Sequence, residues 1–287
     1  MTSRAITNAM TVDVEDYFQV SAFSDQVDRG DWQSLPCRVE RNTERVLQLF
    51  ADKGVSATFF VLGWVAERYP GLIERIVREG HEIASHGFAH YRIHEQQPES
   101  FRDDVRRTKG LLEDTAGCAV TGYRAASFSL NERTLWAVEI LAEEGYRYSS
   151  SVYPIRHDLY GMPKAPRFPF KHEGDGQLLE IPISTLRVLG RNLPCGGGGY
   201  FRLLPYRFSR WAIRRVNERE RQPCVFYFHP WEIDAEQPRI VNSSLKTKVR
   251  HYTNLDRMEA RLAAVLTEFS WDRMDRVHLP ETVQAAA

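Results

Sequence analysis

A mainly parallel β-sheet covered by helices, closed or partly closed as a barrel, is the α/β fold class this sequence predicts. Three observations predict it. Short apolar runs alternate with helical patterns along most of the chain, which is the rhythm of βαβ units. The composition is that of a globular chain, with 43% hydrophobic and 26% charged residues over 287 positions, enough for one large α/β domain or two smaller ones. Polar clusters stand just beyond the apolar runs, where sheets of this kind gather their chemistry.

The elements follow in order. Residues 9–14 read as a strand that ends in acids, and 41–53 as a helix. Residues 57–62, with Thr58, Phe59, Phe60 and Val61, form a buried apolar strand. A helix over 66–79 is closed by Gly80, and 81–85 is the next strand. Over 99–115, Phe101, Val105, Leu111 and Leu112 fall near one face of a helix that stops before Gly117. A strand over 120–124, a helix over 132–144 and a strand over 146–150 continue the alternation. Beyond a Pro- and Gly-rich stretch come a strand at 178–181, a helix at 206–217, a strand at 224–228 and a final helix at 255–269. The stretch 153–199 breaks the rhythm and reads as an ordered excursion over one face of the barrel. With no repeat or linker in view, one domain is expected over 1–287, its core at about 11–269.

Charge and composition exclude several classes. Thirty-eight basic residues balance 38 acidic ones, so there is no field to hold a phosphate backbone and no nucleic-acid partner is expected. No run approaches the ~18 apolar residues of a membrane span. Residues 1–10 contain one Arg and no apolar segment of a secretory signal, so a cytoplasmic location is expected. Cys37, Cys118, Cys195 and Cys224 are scattered without a CxxC pair, as free thiols in a reducing compartment would be.

Four polar clusters follow strands. In Thr11-Val12-Asp13-Val14-Glu15-Asp16-Tyr17-Phe18, three carboxylates lie within four residues. Unpaired they would repel, so either something positive holds them or they form a solvated turn with one acid capping the next helix. In Ser85-His86-Gly87-Phe88-Ala89-His90-Tyr91, two histidines four apart can meet one ion if the backbone turns at Gly87. Gly122-Tyr123-Arg124-Ala125 places a guanidinium at a strand end, and Tyr227-Phe228-His229-Pro230-Trp231-Glu232 places a third histidine at another. On one rim, these residues supply a metal site, a base, an orienting cation and an acid.

With Gly197-Gly198-Gly199-Tyr200-Phe201-Arg202 added, these motifs resemble the polysaccharide deacetylases, the carbohydrate esterase family 4-like group that shares the NodB homology domain and a distorted (β/α) barrel. Within it the sequence is most similar to the subfamily of exopolysaccharide and exosortase-associated gene clusters. The resemblance runs from Thr11 to about Phe269. It implies Asp13 as catalytic base, Arg124 as the group that holds Asp13, and His229 as general acid on the opposite wall. It implies His86 and His90 as metal ligands together with a carboxylate. Two departures stand out. The family's adjacent aspartates are here Asp13-Val14, so the third ligand is Glu15 or Asp16. A continuing strand pleat favours Glu15, and an early turn favours Asp16. Ser149 stands where relatives tend to have Asp, which leaves open what steadies Arg124.

The cofactor implied is a divalent metal, zinc by default for two imidazoles and a carboxylate, with cobalt, nickel or manganese able to substitute. The reaction expected is removal of N-acetyl groups from amino sugars of a polysaccharide or glycan precursor. Tyr17, Phe128, Tyr200 and Trp231 are expected to bind the sugar, since flat rings suit pyranose faces. The glycine run is expected to let a polymer approach the backbone. No protein partner can be read. Two rivals remain: a metal-dependent amidohydrolase acting on a small amide or cyclic ureide, and a non-catalytic glycan-binding relative.

Overall fold

The computed structural model describes residues 6–172 and 178–279. Its first part alternates strictly: β1 (Thr7–Val14), α1 (Val39–Lys53), β2 (Thr58–Val61), α2 (Gly63–Arg68), α3 (Pro70–Arg78), β3 (Glu82–Ser85), α4 (Pro98–Ala116), β4 (Gly122–Tyr123), α5 (Trp136–Glu143) and β5 (Tyr148–Ser149). The second part holds β6 (Phe170–Lys171), β7 (Leu179–Glu180), β8 (Thr185–Val188), β9 (Arg191–Pro194), α6 (Gly198–Leu203), α7 (Tyr206–Arg215), β10 (Val225–Phe228), α8 (Leu245–Tyr252), α9 (Leu255–Glu268), β11 (Ser270–Asp272) and α10 (Met274–His278). The main sheet runs β10-β1-β2-β3-β4-β5-β7-β6, with β11 on β1. All its pairs are parallel except β6–β7. β8 and β9 form a separate antiparallel hairpin.

The sheet curls into a half-barrel, as expected. Between β10 and the β5–β7 edge there is no full ladder. Single contacts bridge this side: Ile183 N–H to Val152 O at 3.0 Å, Gly196 N–H to Ser184 O at 3.2 Å, and Tyr227 N–H to Gly196 O at 2.8 Å. Alternation along the strands separates two cores. Val12, Val14, Phe59, Val61 and Ile83 face the helices, whereas Ala9, Phe60, Ala84, Tyr148 and Tyr227 fill the inside of the curl. The same parity sends Thr11 and Asp13 inward.

Three expected elements change. The helix read over 66–79 is two helices, because Pro70 lacks an N–H and holds Tyr69 at φ −130°, ψ 60°. The helix read over 132–144 starts at Trp136, after a turn in which Thr134 Oγ1 accepts from Asn131 N–H. The excursion contains the β8–β9 hairpin, whose tip, Leu189 and Gly190, takes positive φ at both positions, a two-residue hairpin geometry. Among the described residues, no helix is long and apolar enough to cross a membrane.

Candidate active site

Register builds the site. Val14, Val61, Ser85, Tyr123 and Ser149 lie level across neighbouring strands, so Glu15, His86, Arg124 and Ser150 leave the sheet together, one residue further on. Val12 pairs with Phe228, which sets His229 beside Asp13.

Glu15, His86 and His90 bring their donor atoms within 4.8 Å of one another, the one such group among the described residues. All three are buried. His86 Nδ1 lies 2.8 Å from Arg124 O, a bond that leaves Nε2 for the site. Burial brings the His86 imidazole down to about 4, the neutral form a metal ligand needs. His90 Nε2 lies 3.0 Å from Glu15 Oε2, yet Glu15 Oε2 has no hydrogen-bond partner although buried. Lone pairs of imidazole and carboxylate thus meet around a common space, and the donor set fits one divalent cation.

The loop carrying both histidines is tightly held. Gly87 has φ +73° and His90 φ +53°, an uncommon conformation for a residue with a side chain. Phe88 N–H donates to Asp104 Oδ1 at 3.2 Å, and Arg29 donates to Ala89 O and His90 O at 2.8 and 3.0 Å.

Asp13 Oδ1 accepts from Arg124 Nη1 at 2.5 Å. The guanidinium is fully buried and held on every side: Nη1 also reaches Thr11 Oγ1 at 2.8 Å, Nε reaches Ser150 O at 3.1 Å, and Nη2 reaches Ser150 Oγ at 3.0 Å. Its Cζ lies 3.9 Å from the centre of the Phe60 ring. Ser150, the residue after Ser149, therefore steadies Arg124.

His229 is not across the site from Asp13. Its Nε2 lies 3.9 Å from Asp13 Oδ2 and 3.4 Å from Glu15 Oε1, because β10 and β1 are direct neighbours in the sheet. Nδ1 pairs with Glu232 Oε1 at 2.9 Å, and Arg202 Nε donates to Glu232 Oε2 at 2.6 Å. Burial alone would lower the His229 pKa, but the carboxylates of Glu15, Glu232 and Asp13 outweigh it and raise it to about 9. Burial likewise opposes ionisation of Glu15, yet the imidazoles of His90 and His229 bring its pKa to about 2.

Asp16 stands apart from this cluster. Its Oδ1 accepts from Tyr17 N–H at 2.8 Å, and its Oδ2 from Arg38 and Val39 N–H at 2.5 and 2.9 Å. Both oxygens are spent on local backbone and on the start of α1, a capping role. The chain does turn at this point, with Glu15 N–H on Asp13 O at 3.0 Å, but it is Glu15 that enters the site.

The cluster opens into a groove of about 580 Å³ whose walls include Phe128, Tyr160, Tyr227 and Trp231. Of the four rings expected to meet sugar, Phe128 and Trp231 reach it. Trp231 is already stacked on His229 and His251, at 5.0 and 4.1 Å, and donates to Glu15 Oε1 at 3.4 Å, so its ring orients the site. Tyr17 is buried edge-on against Phe18, and Tyr200 lies outside the groove lining, where its neighbour Gly199 contributes instead. The glycine run is explained by packing. A Cβ on Gly197 would come within 2.7 Å of the Tyr227 ring, and those on Gly196 and Gly198 would strike Val225 O and the Glu232 carboxylate. Sequence reasoning missed Tyr160, Glu232, Arg202 and Ser150. The adjacency of Glu232 to His229 was the available signal; the others are brought in by tertiary contacts.

Residues 26–149 match the family model described as polysaccharide deacetylase, and residues 150–279 match a domain of unknown function. Over 98 residues the chain is 33% identical to a peptidoglycan-N-acetylglucosamine deacetylase of Bacillus cereus, covering 34% of this chain and 36% of that one. Over 100 residues it is 30% identical to a chitooligosaccharide deacetylase of a Bradyrhizobium species, covering 35% and 43%. The chain thus spans well under half the length of these relatives. A crystal structure of a provisionally assigned polysaccharide deacetylase from Mycobacterium smegmatis matches all of this chain and 93% of its own, with a TM-score of 0.63 at 21% identity, and shows the shared fold. The match to the polysaccharide deacetylase model covers less than half of the chain. Asp13 and Glu15 precede the segment matched to that family and His229 follows it, so the cluster draws on more of the chain than the match covers.

Proposed function

We propose that the chain is a metal-dependent hydrolase that removes N-acetyl groups from amino sugars of a polysaccharide or glycan precursor. One observation carries the reading: the Glu15–His86–His90 cluster, the Asp13–Arg124 pair and the His229–Glu232–Arg202 chain border a single groove. The names of the relatives, deacetylases of peptidoglycan and of chitooligosaccharides, support the substrate class. The five motifs favour the exopolysaccharide-associated subfamily.

Glu15, His86 and His90 would hold the ion, with zinc the default for this donor set. When bound, the ion supplies Lewis acidity, which acidifies water and polarises a carbonyl. Asp13 takes the proton of the attacking water as its oxygen bonds to the acetyl carbonyl carbon. Arg124 holds Asp13 and fixes its direction. His229, cationic at neutral pH, gives a proton to the amide nitrogen as the C–N bond breaks, and Glu232 on Nδ1 sets the ring so that Nε2 faces the reaction. Acetate and a free amino sugar leave. Acid and base each typically contribute ~10²–10⁴ in rate.

The test is acetate release by the purified zinc- or cobalt-loaded chain from N-acetylglucosamine oligomers, beside a panel of small amides and a cyclic ureide. Oligomers are expected to be preferred, with Asp13→Asn and His229→Gln each lowering turnover by about 10² or more while circular dichroism is unchanged. A folded, metal-loaded chain that releases acetate from none of them, or prefers the small amides, overturns the reading.

A further inference from the structure

A second cleft, of about 560 Å³, lies between the β8–β9 hairpin and the first part of the excursion. Arg156, Arg187 and Arg191 stand around an apolar floor of Pro154, Ile155 and Leu193. Asn192 Nδ2 donates to Pro154 O at 2.9 Å, which pins the hairpin to the excursion and fixes the cleft. Among the described residues, no acidic side chain lines it.

The chain as a whole has a net charge of zero, and several of its guanidiniums are paired with carboxylates, among them Arg38 with Asp234, Arg106 with Glu144, Arg167 with Glu220 and Arg202 with Glu232. Among the described residues, Arg156, Arg187 and Arg191 enter no ion pair, and all three are exposed. Three like charges around one concavity repel each other and concentrate anions there. A guanidinium also presents the flat fork that fits a carboxylate.

We infer that this cleft is a distal subsite for acidic sugar units of the glycan whose amino sugar occupies the groove. The inference rests on the deacetylase reading and extends it to substrate class. Cleft and groove are lined by consecutive stretches of chain: the excursion that gives Pro154, Ile155 and Arg156 to the cleft gives Asp158, Leu159 and Tyr160 to the groove. A polymer that crosses residues 157–160 from the groove would come to Arg156 in the cleft. The apolar floor suits pyranose faces. Among the described residues no aromatic ring lines the cleft, so they offer no stacking platform of the kind a single-stranded nucleic-acid site uses.

The experiment compares the full metal-loaded chain with an Arg187→Gln/Arg191→Gln variant by calorimetric titration with a galacturonate hexamer, a neutral chitin hexamer and a single-stranded oligonucleotide. The native chain is expected to bind the acidic hexamer at least about tenfold more tightly than the variant, as loss of one charge-assisted contact requires. High salt is expected to erase the difference, and the neutral hexamer to bind both chains equally. Acetate release from a short neutral N-acetylglucosamine oligomer is expected to be unchanged. Equal affinity of both chains for galacturonate overturns the inference, as does tighter arginine-dependent binding of the oligonucleotide. If acetate is released while the galacturonate titrations coincide, this inference alone fails; if no glycan is deacetylated, the parent reading fails whatever the titrations give.

Discussion

Asp13, Glu15 and Asp16 sit within four residues, and three different surroundings give them three different tasks. Asp13 is clamped by a buried arginine, Glu15 faces two imidazoles, and Asp16 holds backbone N–H groups at the start of α1. Burial drives the Asp16 pKa up to about 6 in spite of the N–H donors of Arg38, Tyr17 and Val39, while Glu15, equally buried, is brought to about 2 by the imidazoles of His90 and His229. Substitution separates them. Glu15→Gln is expected to lose bound metal with little change in the fold. Asp16→Ala is expected to keep stoichiometric metal and to lose about 1–2 kcal/mol of stability with its cap. Elemental analysis and urea denaturation of the two variants read these outcomes, and metal lost from Asp16→Ala but kept by Glu15→Gln would reverse the assignment.

At the scale of elements, the site depends on neighbours that merely hold loops. Asp104 on α4 grips the turn between the two histidines through Phe88 N–H. Burial raises its pKa from 3.8 to about 6, against the pull of that N–H and of Arg107. A folded-state value above the unfolded one means the folded chain binds the proton more tightly. This contribution is full below about pH 4 and is lost as pH rises through about 6. Asp104→Asn removes it, so relative to the native chain the variant should gain about 1–3 kcal/mol between acid and mildly alkaline pH. Paired thermal melts at the two pH values measure this; a constant offset would count against it. On the other side of the site, α6 begins where a Cβ on Gly198 would strike the Glu232 carboxylate. Gly198→Ala should therefore push Glu232 off His229 and lower kcat by about tenfold or more, with KM for a short substrate little changed. Full activity in this variant would mean that Glu232 does not position His229.

Across the whole molecule, the half-barrel brings together residues that are far apart in the chain, and a cation bridging β1 and the β3–α4 loop would tie that arrangement down. Saturating zinc should raise Tm by several degrees and chelation should return it, since a hundredfold excess over Kd is worth about 2.7 kcal/mol. Glu15→Gln should abolish the response in differential scanning calorimetry. An unchanged Tm in the native chain would argue that no ion is held there. The legible part of this molecule lay in local patterns. Apolar runs at 9–14, 57–62 and 224–228 marked β1, β2 and β10, and the 3.6-residue spacing of Phe101, Val105 and Leu112 marked α4. The β8–β9 hairpin and α8 were not legible, because short or exposed elements carry little periodicity: β8 and β9 are four residues each, and α8 buries only His251.

By itself the sequence determined the alternation of strands and helices, the placing of acids and histidines at strand ends, and the parity that sends Asp13 inward, since all three follow from side-chain period and local backbone preference. Only the tertiary structure decided which acid faces the imidazoles, that His229 stands beside Asp13, that Ser150 clamps Arg124, and that the glycine run packs against β10. Each of those depends on strand register and on close approach between segments as much as 216 positions apart, as between Glu15 and Trp231, and no local property of the chain encodes such distances.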